Sequence, residues 1–254
     1  MRPHRFDLST LALSSQERLD RLDPATYDVV STDLFDTVLM RDLSLEERRF
    51  DEAARDAAGR LGLDPERLSA LRRSFHRIAY NAVAAERPLA DASLETICRT
   101  IAAVMGRGET AATLRQAEVE TDIRHLSPNR PLIAAYAALA AKGKRVIATT
   151  DTYYSASEIR YVLDQVVGEH PISQVYASCD VGLTKHAGAI FAEVARREGV
   201  CPTRILHLGD NLEADVHQAR AAGWQALHLR RGIAWRRLGK LAVRLSTAQS
   251  RKGQ

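Results

Sequence analysis

The sequence predicts a doubly wound α/β protein, a parallel β-sheet with a block of helices inserted after its first strand. Three observations carry this expectation. Short apolar segments bounded by small or polar residues recur along the chain, and helix-like segments separate the later ones. Between about residues 42 and 127 the alternation stops and only helical patterns remain. Short strands alternating with helices indicate βαβ units, and therefore a parallel sheet with helices packed on it. In such sheets reactive groups collect at the carboxyl ends of the strands.

Taken in order, the first strand is DVVST at 28–32, which runs into the loop DLFDT at 33–37. The helical block follows in SLEERRFDEAARDAAGRLG, DPERLSALRRSFHRIAYNAVAAE, SLETICRTIAAVMG and ETAATLRQAEVETDIRHL. SPNRP at 127–131 marks the return to the sheet, and further strands are expected at 145–149, 174–178, 204–208 and 225–229. Between them lie helical patterns at Ser155–Val167, Ala187–Glu198 and Asn211–Ala222, with Gly143, Gly199 and Gly223 where helix C-terminal caps belong. The chain thus divides into an α/β core of residues 1–41 and 128–233, a helical cap of residues 42–127 and a C-terminal tail of residues 234–254. No internal repeat is visible.

Bulk properties set the surroundings. A chain of 254 residues with 45% hydrophobic and 27% charged residues has the composition of a soluble globular protein that can bury a sizeable core. Its apolar runs, such as Pro131–Ala141, fall short of the roughly 18 residues needed to span a bilayer. The basic start Met1–Arg5 is followed by Asp7 and the Ser-rich LSTLALSSQE, so no secretory signal is expected. Cys98, Cys179 and Cys201 are odd in number and widely spaced, which favours reduced thiols in the cytoplasm over disulfides or a zinc cluster. The net charge is +4, but nine positive charges and no acidic residue follow Asp215, which leaves −5 for residues 1–215.

The polar residues that close the strands form a coherent set: Asp33, then Thr150 and Asp151, then Lys185, then GDNLEAD at 209–215. Phosphoryl chemistry through a carboxylate nucleophile needs such groups. A carboxylate attacks phosphorus, a hydroxyl and an ammonium hold the phosphate oxygens, and further carboxylates hold Mg²⁺. Singly, each has an ordinary reading. D-x-x-D-T is common turn chemistry, Thr150 and Asp151 can cap or close a loop, and Lys185 and His186 can be solvated. Asp210 and Asp215 can cap the helix near Asn211. A lysine at this place is less easily accidental, because the chain has five lysines against 31 arginines.

Together, DLFDT at 33–37, VIATTD at 146–151, Lys185 in GLTKHAGAIF and LGDNLEAD at 208–215 resemble, in order, the four motifs of the haloacid dehalogenase-like hydrolases. The resemblance extends to about residue 229 and implies a Rossmann-like core with an inserted cap. The family pattern D-x-D-x-T places the nucleophile first and a threonine four positions on, which selects Asp33 with Thr37. Starting from Asp36 would put Met40 at the threonine position. The resemblance further implies phosphate binding by Thr37, Thr150 and Lys185. It also implies a Mg²⁺ site of Asp33, Asp210, Asp215 and the backbone carbonyl of Phe35. Asp215 can act on the metal through an intervening group.

Phe35 departs from the pattern, because the second aspartate there is the general acid and base, worth about 10²–10⁴-fold in rate. Three outcomes follow: Asp36 takes over, the leaving group needs no protonation, or catalysis is weak. Family members with an aromatic residue at this position include metal-independent dehalogenases, yet the intact Asp210–Asp215 motif favours phosphate. Proteins with this FDT variant often accompany surface-glycan biosynthesis. The resemblance therefore implies a small phosphorylated substrate such as a phosphosugar or glycan precursor. A second function is a phosphate-ligand-binding accessory module with little turnover, and a third is a metal-independent dehalogenase.

Two further surfaces stand out. Arg72, Arg73 and Arg77 lie on adjacent helical turns with Tyr80 three residues on, and form either a solvated face or a substrate-contacting one through Arg73 and Arg77. In the tail, Trp235, Leu238, Ala242 and Leu245 share a helical face beside Arg236, Arg237, Lys240 and Arg244. Such a basic amphipathic stretch either packs on its own core or meets an anionic membrane surface or acidic partner. No nucleic-acid motif accompanies the charge.

Overall fold

The computed structural model describes residues 23–229. The tail at 234–254, with its expected apolar stripe, lies outside the described residues. From the N-terminal side, β1 (Val29–Thr32) leads to the short β2 (Leu39–Arg41) and then to four helices, α1 (Glu46–Leu61), α2 (Pro65–Glu86), α3 (Leu94–Met105) and α4 (Glu109–His125). After β3 (Leu126–Pro128) come α5 (Arg130–Ala141), β4 (Arg145–Thr150), α6 (Ala156–Val166) and β5 (Ile172–Ala177). The chain ends its described part with α7 (Ser178–Val181), α8 (Ala189–Glu198), β6 (Ile205–Gly209), a π-helical turn at Leu212–His217, α9 (Gln218–Ala221) and β7 (Gln225–His228).

The five long-range strands form one parallel sheet in the order β5-β4-β1-β6-β7, so β1 is its centre. All four residues of β1 are buried, which is why VVST carries no exposed polar face. Neighbouring residues point to opposite faces. On one face Val30, Val146, Ala148 and Leu206 join a core with Tyr136 and Leu139 of α5 and Val162 of α6. On the other, Val29, Ile147 and Ile205 pack on Phe191 and Val194 of α8 and on Trp224. Helices on both faces make the sheet doubly wound, as expected. The chain visits β4 and β5 on one side of β1 and then β6 and β7 on the other, and the switch point lies at the carboxyl end of β1.

The helical block is tied to the sheet by packing. Phe50, Leu68, Leu94 and Ile97 belong to the same apolar cluster as Leu34, Phe35, Tyr153 and Tyr154 from the sheet's loops. The ends of its helices follow local chemistry. Asp64 accepts from the Glu66 and Arg67 amides at the start of α2, where Pro65 fits the first turn, and Ser93 accepts from the Thr96 amide at the start of α3. Among the described residues no helix is long and apolar enough to cross a membrane.

The structure departs from the sequence expectation at three places. No strand was expected between 33 and 144, yet β2 and β3 pair antiparallel, with Leu39 opposite Pro128 and Arg41 opposite Leu126. Three residues are too short for any periodicity to show. The pair draws the entrance and exit of the helical block side by side. The helix expected from Asn211 opens as a π-turn, with Asn211 as its cap accepting from the Glu213 and Ala214 amides. Strand β5 starts two residues early, at Ile172.

Candidate active site

Asp33 is the first residue beyond β1. Its amide donates to the Leu208 carbonyl at 2.8 Å, which continues the β1–β6 pairing by one residue and delivers the side chain to the sheet's carboxyl edge. A tight turn follows, in which the Leu34 carbonyl accepts from the amides of Thr37, Val38 and Leu39. Asp36 closes that turn with φ +65°, a left-handed conformation that aspartate tolerates better than most residues. The Asn129 side chain donates to the Thr37 carbonyl at 2.9 Å and fixes the far side of the turn.

Around Asp33 three strand ends converge. One of its carboxylate oxygens accepts from Lys185 Nζ at 2.6 Å and from Thr150 Oγ1 at 3.3 Å. The same ammonium meets Asp215 Oδ1 at 2.6 Å. Thr37 Oγ1 lies 3.5 Å from Asp210 Oδ1. Oxygens of Asp33, Asp210 and Asp215 fall within 4.8 Å of one another. Asp151 is not directed at this group. Its carboxylate accepts from the backbone amides of Lys185 at 2.7 Å and His186 at 3.0 Å, and so holds the loop that presents the lysine.

Burial governs the charges here. It pushes the Asp33 carboxyl above the usual range, against the pull of Lys185. Burial also works against the Lys185 ammonium, but Asp33, Asp215 and Asp151 outweigh it and hold the lysine well above its ordinary value. Asp215 is held well below the carboxylate range, because Lys185 and His207 more than offset its burial. The three carboxylates offer hard oxygen donors, the set that Mg²⁺ takes. Asp215 Oδ1 already accepts from Lys185 and lies against His207 Nε2, and its Oδ2 accepts from the Asn211 amide. Its oxygens are thereby oriented before any cation arrives.

The Asp36 carboxylate and the Phe35 ring meet Arg41. Asp36 Oδ2 pairs with Arg41 Nη1 at 3.3 Å, and the Arg41 guanidinium covers the Phe35 ring at 4.1 Å. Phe35 is 7% exposed, and its ring lies 6.1 Å from that of Tyr154. Of the cap arginines, Arg72 is buried on Glu118, Arg73 pairs with Asp51 on α1, and Arg77 is exposed.

Two participants, Arg41 and His207, escape a reading of the motifs, and a third, Gly209, stands in the fourth motif without a role assigned there. Arg41 lies on the three-residue β2. Gly209 ends β6 where an added Cβ would fall onto the Asp215 carboxylate, so only glycine lets Asp215 fold back on the strand end. His207 reaches Asp215 from inside the sheet. A signal for His207 does exist: it is the single polar side chain in the fully buried strand ILHLG.

Comparison with known proteins agrees with this fold. A family model described as haloacid dehalogenase-like hydrolase matches residues 27–223. A stretch of 63 residues is 38% identical to a glyceraldehyde 3-phosphate phosphatase of Methanopyrus kandleri. That stretch covers 25% of this chain and 27% of the relative. A 2-haloacid dehalogenase of Pseudomonas syringae superposes with a TM-score of 0.54 at 19% identity, over 80% of this chain and 86% of that one. An L-2-haloacid dehalogenase of Xanthobacter autotrophicus gives 0.50 at 16% identity, over 80% and 77%. At these identities the two structures speak for the fold alone.

Proposed function

The chain belongs to the haloacid dehalogenase-like hydrolases, and on that premise we propose that it is a Mg²⁺-dependent phosphatase of small phosphomonoesters with Asp33 as nucleophile. The observation that carries the proposal is the convergence of Lys185, Thr150 and the Asp210–Asp215 pair on the Asp33 carboxylate. In the reaction a carboxylate oxygen of Asp33 attacks phosphorus, the bond to the leaving oxygen breaks, and that oxygen takes a proton from solvent, since Phe35 has none to give. Water then attacks the aspartyl phosphate at phosphorus, breaks its bond to the Asp33 oxygen and gives a proton back to solvent, freeing phosphate and the carboxylate. Lys185 and Thr150 hold phosphoryl oxygens, and Thr37 keeps the loop in register. Asp33, Asp210, Asp215 and the Phe35 carbonyl would hold Mg²⁺, which supplies charge neutralisation when bound. Residues 42–127 act as the cap that excludes water and selects the substrate.

A small phosphorylated sugar fits as substrate class, since the Methanopyrus relative is named for a phosphorylated three-carbon sugar. The odd set of free cysteines supports a cytoplasmic setting, and the basic tail supports an acidic or membrane-surface partner. Phe35 favours a second reading, an accessory module that binds phosphorylated ligand with little turnover, because the residue there has no proton to give. Steady-state assays on a panel of phosphosugars and nucleotides, with EDTA and with Asp33→Asn, separate these readings. The phosphatase reading expects turnover lost in both conditions. Binding without turnover points to the accessory module, and turnover of a haloacid that survives EDTA points to a dehalogenase.

A further inference from the structure

Behind Lys185 and Asp215 a line of polar side chains crosses three strands. Thr149 of β4, Ser31 of β1 and His207 of β6 are each 0% exposed. Ser31 and His207 are register partners on adjacent strands. Ser31 Oγ lies 2.9 Å from Thr149 Oγ1 and 2.9 Å from His207 Nδ1. His207 Nε2 lies 3.2 Å from Asp215 Oδ1, the oxygen that also receives the Lys185 ammonium. The imidazole cannot swing away: Phe191 meets it edge-on at 5.5 Å and Trp224 at 6.1 Å. The rest of this face is apolar, built from Val29, Ile147, Ile190 and Ile205. Packing alone would be met by a branched aliphatic residue at position 207.

We propose that His207 is a positioning residue, clamped by Ser31 and Thr149 within the sheet, that holds Asp215 so that Lys185 stays on Asp33. An ionised carboxylate only accepts hydrogen bonds, so the ring nitrogen facing Asp215 carries a proton. Ser31 takes the other nitrogen and thereby fixes which way the ring faces, the role an orienting partner plays behind a metal or catalytic ligand. The line of contacts therefore transmits the rigidity of three hydrogen-bonded strands to the nucleophile. Without it, Asp215 keeps its charge but loses one of the two groups fixing Oδ1, and Lys185 gains freedom to leave Asp33.

The kinetic part of this inference rests on the phosphatase reading, whereas the position of the proton does not. Nitrogen-15 NMR of the full chain at neutral pH is expected to show a hydrogen-bonded proton on His207 Nε2, with a resonance that moves in Asp215→Asn. His207→Leu is expected to lower kcat roughly 10–100-fold with KM within about twofold. His207→Gln, which keeps a donor within similar reach, is expected to recover most of that loss. Ser31→Ala is expected to lower kcat with little change in melting temperature. An Nε2 without a proton overturns the proposal. So does a His207→Leu or Ser31→Ala variant that melts earlier but turns over as fast as the wild type. If the wild-type chain shows no phosphatase turnover, the proposed function fails, and the proton position alone decides the role of His207.

Discussion

At the scale of single residues, the site depends on how closely Asp215 is folded against the end of β6. Gly209→Ala places a methyl group where that carboxylate lies, so the carboxylate must move and Lys185 loses one of its two partners. The expected result is a fall in kcat of roughly 10–100-fold, with a stability loss of about 1–3 kcal/mol from overpacking. Assay and urea denaturation of the purified variant measure both, and an unchanged kcat would show that the position of Asp215 is unimportant. The convergence of Asp33, Thr150, Lys185, Asp210 and Asp215 was legible in the sequence, because each follows an apolar strand and the spacing is a family pattern. The surroundings of Phe35 were not. Its covering group, Arg41, comes from a strand too short to leave a periodic trace.

At the scale of elements, the helical block is held together by buried charge as well as by apolar packing. Arg72 of α2 and Glu118 of α4 pair through two hydrogen bonds of 2.5 Å, with side chains 0% and 2% exposed. The guanidinium also lies 4.0 Å over the Phe50 ring of α1. From sequence Arg72 was grouped with its exposed helical neighbours, since a 3.6-residue period does not tell which arginine a carboxylate 46 positions away will claim. Arg72→Met strands Glu118 and is expected to cost about 3–5 kcal/mol in urea denaturation. A loss under 1 kcal/mol would mean the pair is dispensable. His125, at the end of α4, meets Asp42 at 2.7 Å and Glu52 at 3.0 Å. Burial disfavours its charge, but the two carboxylates outweigh it and raise its pKa above the ordinary 6.5. Its ion pairs therefore stabilise the fold in full below that value and fade as pH rises through the raised one. The melting-temperature gap between wild type and His125→Gln is expected to be wider at pH 6 than at pH 9. A gap that does not change with pH would exclude the charge as its source.

At the scale of the whole molecule, the parallel sheet with helices on both faces could be read from five apolar segments and the helices between them, whereas the order of its strands could not. The neck of β2 and β3 could not. It is made by pairing across the entire helical block, and nothing local to LMR or LSP announces it. That neck has a kinetic consequence. The central strand must find partners far away along the chain, since Val30 lies beside Val146 and Leu206. Closing so long a loop is slow and entropically costly. Once Arg41 and Leu126 are zipped together, the helical excursion drops out of that search, and β1 reaches β4 across two short arms instead of one long loop. Pulse-labelled hydrogen exchange during refolding should therefore find the amides of α1 and α4 protected before those of β1. The reverse order would mean that the sheet assembles without help from its insert. On this account the insert also serves as a folding scaffold, which brings the two halves of the sheet within reach of each other before they join.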